Sequence, residues 1–394
     1  LRSYAALMLK DTREAEAVGR SIADRFTALR CYEDKDELLQ RQKDVDKKFF
    51  EKGGRLPGRH MVTVACGICC IEDVIEHLDV QGLIDRANFA QKTVKNDPKL
   101  HYAFYNESIR QKMIEENRIR DRIDSALEKG EFVVYLQPKV SLANGKISGA
   151  EALARWKLPD GRMLPPGEFI PIMEKNHVIG KLDKYIFEKI CIWFQNRIKA
   201  GVPVEPVSIN VSKLQFYNPD FVKEYREIKD RYNVPDGMLE IEFTETVAFE
   251  NQKYMLKIVS ELHENGFGCS LDDFGSGFSS LGMLKDLQID VLKLDAMFFR
   301  NSSGNIEKEK LIVRSIINMV SRLNIKVVAE GIETQEQVEF LKEAGCDLVQ
   351  GFVYYKPMPV KEFEKLIDVR TEAVRENNYP KNLNAMAVSV LAKI

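Results

Sequence analysis

The chain has 394 residues with 58 basic against 60 acidic side chains, net charge −2, so it lacks the broad positive surface that duplex nucleic acid attracts. That length has room for two domains, or for one large barrel with an appendage. No run of about 18 uncharged apolar residues occurs to form a membrane span, and no signal-peptide pattern is present.

The first residue is Leu1 rather than Met, and it opens directly onto an apolar segment. The sequence therefore reads as a fragment, with any sensory or membrane segment expected upstream of it. Residues 1–105 carry the pattern of part of an α+β sandwich. A short strand is expected at 5–9, a long charged helix at 12–29, a strand at 62–70, a helix at 82–94 and a last short run at 100–105. Cys66, Cys69 and Cys70 form a C-x-x-C-C, but a zinc site needs a second pair at matching spacing and the chain has none. The β-branched run around them reads as a buried strand, and free thiols in a core point to the reducing cytosol.

Residues 106–130 set Ile109, Met113, Ile114, Ile119, Ile123 and Leu127 among many charges, the pattern of an amphipathic connecting helix ended by Gly130. From 131 to 370, strand and helix patterns alternate. Strands are expected at 132–138, 149–156, 206–211, 239–246, 268–272, 291–295, 326–330 and 348–354, with helices at 181–200, 253–265, 308–323 and 334–344. Eight strands with intervening helices over about 250 residues suit a (β/α)8 barrel. The competing arrangement, a doubly wound open sheet, lacks its glycine-rich phosphate turn after the first strand. Residues 371–394 form a tail with an apolar stretch at 386–392, for which packing on the barrel or a partner and terminal disorder are both open.

A barrel works at the carboxyl ends of its strands. There, or within the strands, fall Glu151, Asn210, Glu242, the pair Asp272 and Asp273, and Glu330, with Lys293 and Gln350 in apolar runs. Alone, Glu151-x-Leu153-x-Arg155 fits an exposed strand edge or a salt bridge equally well. In the alternating run Leu239-Glu-Ile-Glu-Phe-Thr-Glu245, Glu240, Glu242 and Thr244 share a face, and two carboxylates facing a barrel interior repel unless a cation lies between them. Asp272 and Asp273 are suited to bridging two ions, while Gly275 and Gly277 let the backbone turn tightly beneath a ligand. Lys293, flanked by Val291, Leu292 and Leu294, needs carboxylates or a metal-bound water as partner if buried. Oxygen and amide donors without cysteine or histidine favour Mg2+ or Mn2+ over Zn2+.

Residues 118–368 resemble an EAL domain, the phosphodiesterase of the bacterial second messenger cyclic di-GMP. The resemblance runs through Gln137-Pro138, Glu151-Ala-Leu, Asn210-Val-Ser, Glu242-Phe-Thr-Glu245, Asp272-Asp-Phe-Gly, Lys293-Leu-Asp, Glu330-Gly-Ile-Glu333 and Gln350-Gly-Phe. It implies an α/β, TIM-like barrel in which Glu151, Asn210, Glu242 and Asp272 hold one Mg2+ or Mn2+ and Asp272, Asp273 and Glu330 the second. It further implies that Lys293 orients or deprotonates the attacking water and that Gln137, Arg155 and Gln350 contact substrate. Glu245 would anchor the loop after the aspartate pair, and the product would be linear pGpG. The chain departs from the pattern at Met173-Glu174-Lys-Asn-His177 and at Ser276 and Phe278, none of them ligand positions. A cyclic di-GMP receptor that binds without cutting is the alternative, and it would show losses in the acidic set that this chain does not have.

Residues 1–105 resemble the second half of a GGDEF domain, with Ser3 and Tyr4 in place of the acidic metal-binding and catalytic positions, so cyclase activity is not expected. A homodimer is expected through the segment after Asp273, on the family's habit and on Phe278, Leu281, Met283, Leu284 and Leu287. The alternative is that these side chains fill the barrel's own helix layer. A cytoplasmic location is expected, with anchoring outside this fragment left open.

Overall fold

The structure is a computed structural model that describes residues 1–21, 24–51, 63–74, 78–95, 100–250, 252–275, 281–299 and 306–375. The chain divides into two compact units, residues 1–118 and 119–394.

The first unit mixes helices and short strands. Residues 5–9, expected as a strand, lie inside the helix Arg2–Asp11, whose buried Tyr4, Leu7 and Met8 follow the i, i+3, i+4 spacing of a helix face. Residues 12–29, expected as a helix, instead form the antiparallel strands Ala17–Arg20 and Phe26–Leu29. Charges crowd this stretch and conceal the alternation of a half-exposed hairpin. The helix Lys35–Glu51 lays Val45 against Tyr4, Leu7 and Met8. Beside this core the Tyr4 and Tyr102 hydroxyls both donate to the Asp46 carboxylate at 2.6 Å. The strand expected at 62–70 is limited to Cys66–Ile68, parallel to Tyr102–Phe104, with residues 52–62 outside the description. Cys70 is buried, but Cys66 and Cys69 only partly so.

The second unit is a closed eight-stranded barrel. Its strands are β1 (Phe132–Ser141), β2 (Ile147–Lys157), β3 (Val207–Asn210), β4 (Leu239–Thr244), β5 (Gly268–Phe274), β6 (Val291–Leu294), β7 (Lys326–Ala329) and β8 (Leu348–Val349). All eight lie where the alternation predicts, and neighbours from β2 to β8 pair in parallel. β1 is different: it runs antiparallel to both β2 and β8. Only a short turn joins β1 to β2, and a turn that short returns the chain antiparallel, whereas a parallel step needs a crossover of a dozen residues or more. The helices Ile179–Lys199, Gln252–Glu264, Ile306–Arg322 and Gln335–Glu343 match expectation, the last opened by a Thr334–Gln337 capping box. Further helices of this unit include Pro166–Lys175 and Phe221–Arg231.

Between strands and helices lies a continuous apolar core that includes Trp156, Phe169, Phe187, Tyr225, Phe243 and Phe363. Ile119, Ile123 and Ala126 of the helix Glu107–Glu128 belong to it as well. Leu284 and Leu287 are also buried in this core. They satisfy the barrel itself, which removes them from the rationale for a dimer; Phe278 and the side chains of Leu281 and Met283 lie outside the described residues. The tail is helical as far as Arg375, and its apolar stretch at 386–392 lies outside the description. No helix among the described residues is long and apolar enough to cross a membrane.

Candidate active site

A parallel barrel turns alternate side chains of each strand inward, and β2, β4, β5 and β6 use those positions for ionisable groups. Lys293 of β6 is 1% exposed and stands among four carboxylates: Glu242 Oε2 and Glu330 Oε1 at 2.8 Å, Asp272 Oδ1 at 3.1 Å and Glu151 Oε2 at 3.6 Å. Burial alone would push the ammonium pKa down, but these carboxylates overcome it and hold Lys293 protonated. One ammonium does not balance them. Burial pushes the Glu330 carboxyl up to about 8, against the pull of Lys293 and with the other carboxylates adding to the rise. Glu151 is also raised, chiefly by burial, whereas Glu242, despite burial, is held down at about 2 by Lys293 and Lys139.

The aspartate pair needs a special backbone, because consecutive strand residues ordinarily point to opposite faces. β5 meets this need with a register irregularity against β6 between Leu271 and Phe274, and with Asp273 at φ +55°. Asp is one of the few side chains that tolerate this left-handed region. As a result one oxygen from each of Asp272, Asp273 and Glu330 lies within 4.8 Å of the others. Burial, then the neighbouring Asp272 and Asp295, pushes Asp273 up to about 6. Closely spaced carboxylates with no cysteine or histidine among them suit a hard divalent cation.

Asn210, at the end of β3, donates its amide to Glu151 Oε1 at 2.6 Å, which leaves its amide oxygen as the donor atom open to an ion. Gln350, just past β8, donates to Glu151 Oε2 at 2.5 Å and to Gln137 Oε1 at 3.1 Å. Gln137 pairs opposite Glu151 across β1 and β2 and donates to the Tyr355 carbonyl at 3.2 Å. Gln350 therefore braces Glu151 directly, and Gln137 steadies Gln350. Arg155 lies four residues along β2 from Glu151, roughly 13 Å toward the rim. It is half-buried, donates to the Ala154 carbonyl and lies over the Tyr135 ring at 5.6 Å.

Glu245 opens the short helix after β4 and is buried. Its Oε2 accepts the Gly275 N–H at 3.2 Å, the point where the chain leaves β5. Gly277, Ser276 and the rest of that loop through 280 lie outside the described residues.

Lys139 was missed from the sequence. It is buried, and its ammonium donates to Ser208 Oγ at 2.7 Å, Glu242 Oε1 at 3.1 Å and Glu240 Oε1 at 3.2 Å. A usable signal exists: in a strand, 139 shares a face with 137, which the motif marks as facing inward.

Residues 120–357 match the EAL domain. The chain is 35% identical over 323 residues to the signaling protein YkoW of Bacillus subtilis strain 168, covering 81% of this chain and 39% of that protein. It is 33% identical over 280 residues to the bifunctional diguanylate cyclase/cyclic di-GMP phosphodiesterase MucR of Pseudomonas aeruginosa, covering 71% and 41% respectively. The chain thus spans 39% and 41% of the length of these two relatives. Among solved structures, the PaMucR phosphodiesterase in complex with c-di-GMP is similar at a TM-score of 0.59 and 34% identity, over 62% of this chain and 99% of that one.

Proposed function

Because this chain belongs to the EAL domain family, we propose that it is a metal-dependent phosphodiesterase that hydrolyses cyclic di-GMP to linear pGpG. The observation that carries this reading is the largely buried group of Glu151, Glu242, Asp272 and Glu330 around Lys293, with Asp273 drawn in by the distorted end of β5. Glu151, Asn210, Glu242 and Asp272 would hold one Mg2+ or Mn2+, and Asp272, Asp273 and Glu330 a second. Such ions, when bound, lower the pKa of water and offset the charge that builds on phosphoryl oxygens.

The remaining work falls to the chain's own side chains. Lys293, at the centre of these carboxylates, donates a hydrogen bond that orients the attacking water. Attack of the water oxygen at phosphorus breaks one ester bond of the ring, and the departing ribose oxygen takes up a proton. Arg155 supplies a guanidinium toward the rim, suited to an anionic diester. Gln350, steadied by Gln137, keeps Glu151 in one orientation, and Glu245 ties Gly275 so that the aspartate pair stays in place.

The test is incubation with cyclic di-GMP and Mg2+ or Mn2+, with products resolved by chromatography. pGpG should appear, vanish on chelation and return with added metal. Tight binding of cyclic di-GMP without pGpG in excess metal would replace the enzyme by a receptor. A homodimer through the segment after Asp273 belongs to the same reading. Charged replacement of Met283 should dissociate it in sedimentation and lower turnover, and a fully active monomer would refute the coupling.

A further inference from the structure

Lys139 is a buried cation of the barrel interior to which the chemistry above gives no part. It stands on β1 opposite Gly149, two residues deeper than the Gln137–Glu151 pair, where the register of β1 against β2 begins to shift. Its stem passes close to Gly149: a Cβ added there would lie 4.0 Å from Lys139 Cδ and 3.0 Å from the Pro206 carbonyl oxygen. From this depth the ammonium reaches Ser208, Glu240 and Glu242.

The arrangement fixes Glu242 from two directions. Lys139 holds Oε1 at 3.1 Å and Lys293 holds Oε2 at 2.8 Å, and the carboxylate is 0% exposed. With each oxygen bonded to a different ammonium, rotation about the terminal bond breaks two charge-assisted hydrogen bonds at once. Burying a lysine carries a desolvation penalty that an apolar side chain of similar volume avoids. That penalty points to a duty in the site rather than in the fold.

We propose that Lys139 is a positioning residue for the metal site: it holds Glu242 from beneath, so that this carboxylate meets a divalent ion already oriented. It also neutralises Glu240, which would otherwise repel Glu242 from one layer below. The inference rests on the metal-dependent reading above. Groups that orient a metal's ligands typically matter by roughly 10- to 100-fold in affinity or activity.

The experiment uses the full chain and Mn2+ alone, with free ion measured by electron paramagnetic resonance. Lys139→Met keeps the bulk of the stem and removes the ammonium. Its Mn2+ affinity should fall by roughly 10- to 100-fold. In a parallel assay kcat should fall while KM for cyclic di-GMP moves by less than about threefold, since the substrate contacts are untouched. Unchanged Mn2+ affinity overturns the proposal. Tighter binding also overturns it, because Lys139 would then be only a charge competing with the ion. Should Lys139→Met fail to fold, Lys139→Gln keeps a hydrogen-bond donor at the position and removes the charge. It must weaken Mn2+ binding in the same direction by a smaller factor, and no change would overturn the role. A wild-type chain that binds Mn2+ and makes no pGpG defeats the phosphodiesterase reading alone, whereas a Lys139→Met chain with wild-type Mn2+ affinity defeats this inference alone.

Discussion

Glu151 has both oxygens engaged, Oε1 by Asn210 and Oε2 by Gln350, with Lys293 nearby, so its removal strips several partners at once. Glu151→Ala and Asp272→Asn should each lower turnover by several orders of magnitude, read from initial rates at saturating Mn2+. Lys293→Ala should lower kcat far more than it raises KM; weakened binding with turnover intact would refute its place beside the water. A different acid governs stability. Asp183 is buried on the helix Ile179–Lys199 and accepts the Ser212 N–H at 3.0 Å. Burial pushes its carboxyl up to about 7, with the Ser212 N–H opposing and Glu174 adding to the rise. An acid whose folded pKa exceeds its unfolded value of about 3.9 holds its proton more tightly when folded. The stability it contributes is complete below pH 4 or so and is lost as pH rises through about 7. Asp183→Asn keeps an acceptor for Ser212 and has no charge to bury. Its advantage over the wild type in denaturant unfolding should therefore widen from pH 5 to pH 8, by up to about 3 kcal/mol. A gap that stays constant across that range would exclude the burial effect. The acidic set was legible in the sequence because each member ends or interrupts an apolar run. Lys139 was not, because a lysine beside Pro138 and Val140 looks like any strand lysine until its face is counted.

At the level of elements, the end of β5 is the least regular and the most consequential. Asp273 at φ +55° and Gly275 at φ +97° turn the chain there, and a Cβ on Gly275 would fall 2.2 Å from the Phe298 ring. Gly275→Ala should therefore store about 1–3 kcal/mol of strain. It should cut kcat by roughly 10- to 100-fold through displaced aspartates, and Gly275→Ala with Phe298→Ala should recover part of the loss. Equal kinetics for the single and double variants would show that the ring contact is not what matters. The glycines of this turn could be read from the sequence, but the strand distortion that aims two successive carboxylates at one place could not, because periodicity reports spacing and not register. Strand direction was concealed for a similar reason. The alternation marked residues 132–138 as a strand, and only the shortness of the connection to the next one tells that the pair is antiparallel. In the first unit, by contrast, Tyr4, Leu7 and Met8 carried the spacing of a helix, and a count of that period would have found it.

Across the whole molecule, the proposed site residues fall between Gln137 and Gln350, within the second of the two units. The helix Glu107–Glu128 contributes Ile119, Ile123 and Ala126 to the barrel's core. A fragment of residues 107–394 should accordingly fold on its own and keep its turnover within about threefold of the full chain. Loss of cooperative unfolding in that fragment, followed by circular dichroism, would mean that the barrel depends on residues 1–106. The reversed first strand has a mechanical side. Phe132 pairs with Trp156, near the carboxyl end of β2, so the polypeptide enters the barrel at the rim where the parallel strands end and runs inward past Gln137 to Lys139. Tension applied to residue 131 along the strand axis would act as shear on the antiparallel seams that β1 makes with β2 and β8. A slip of one residue pair, roughly 7 Å, would draw Gln137 away from Gln350, which holds Glu151, and the Lys139 clamp away from Glu242 in a single stroke. Force applied directly at residue 131 would thus reach Glu151 and Glu242 together through a single strand.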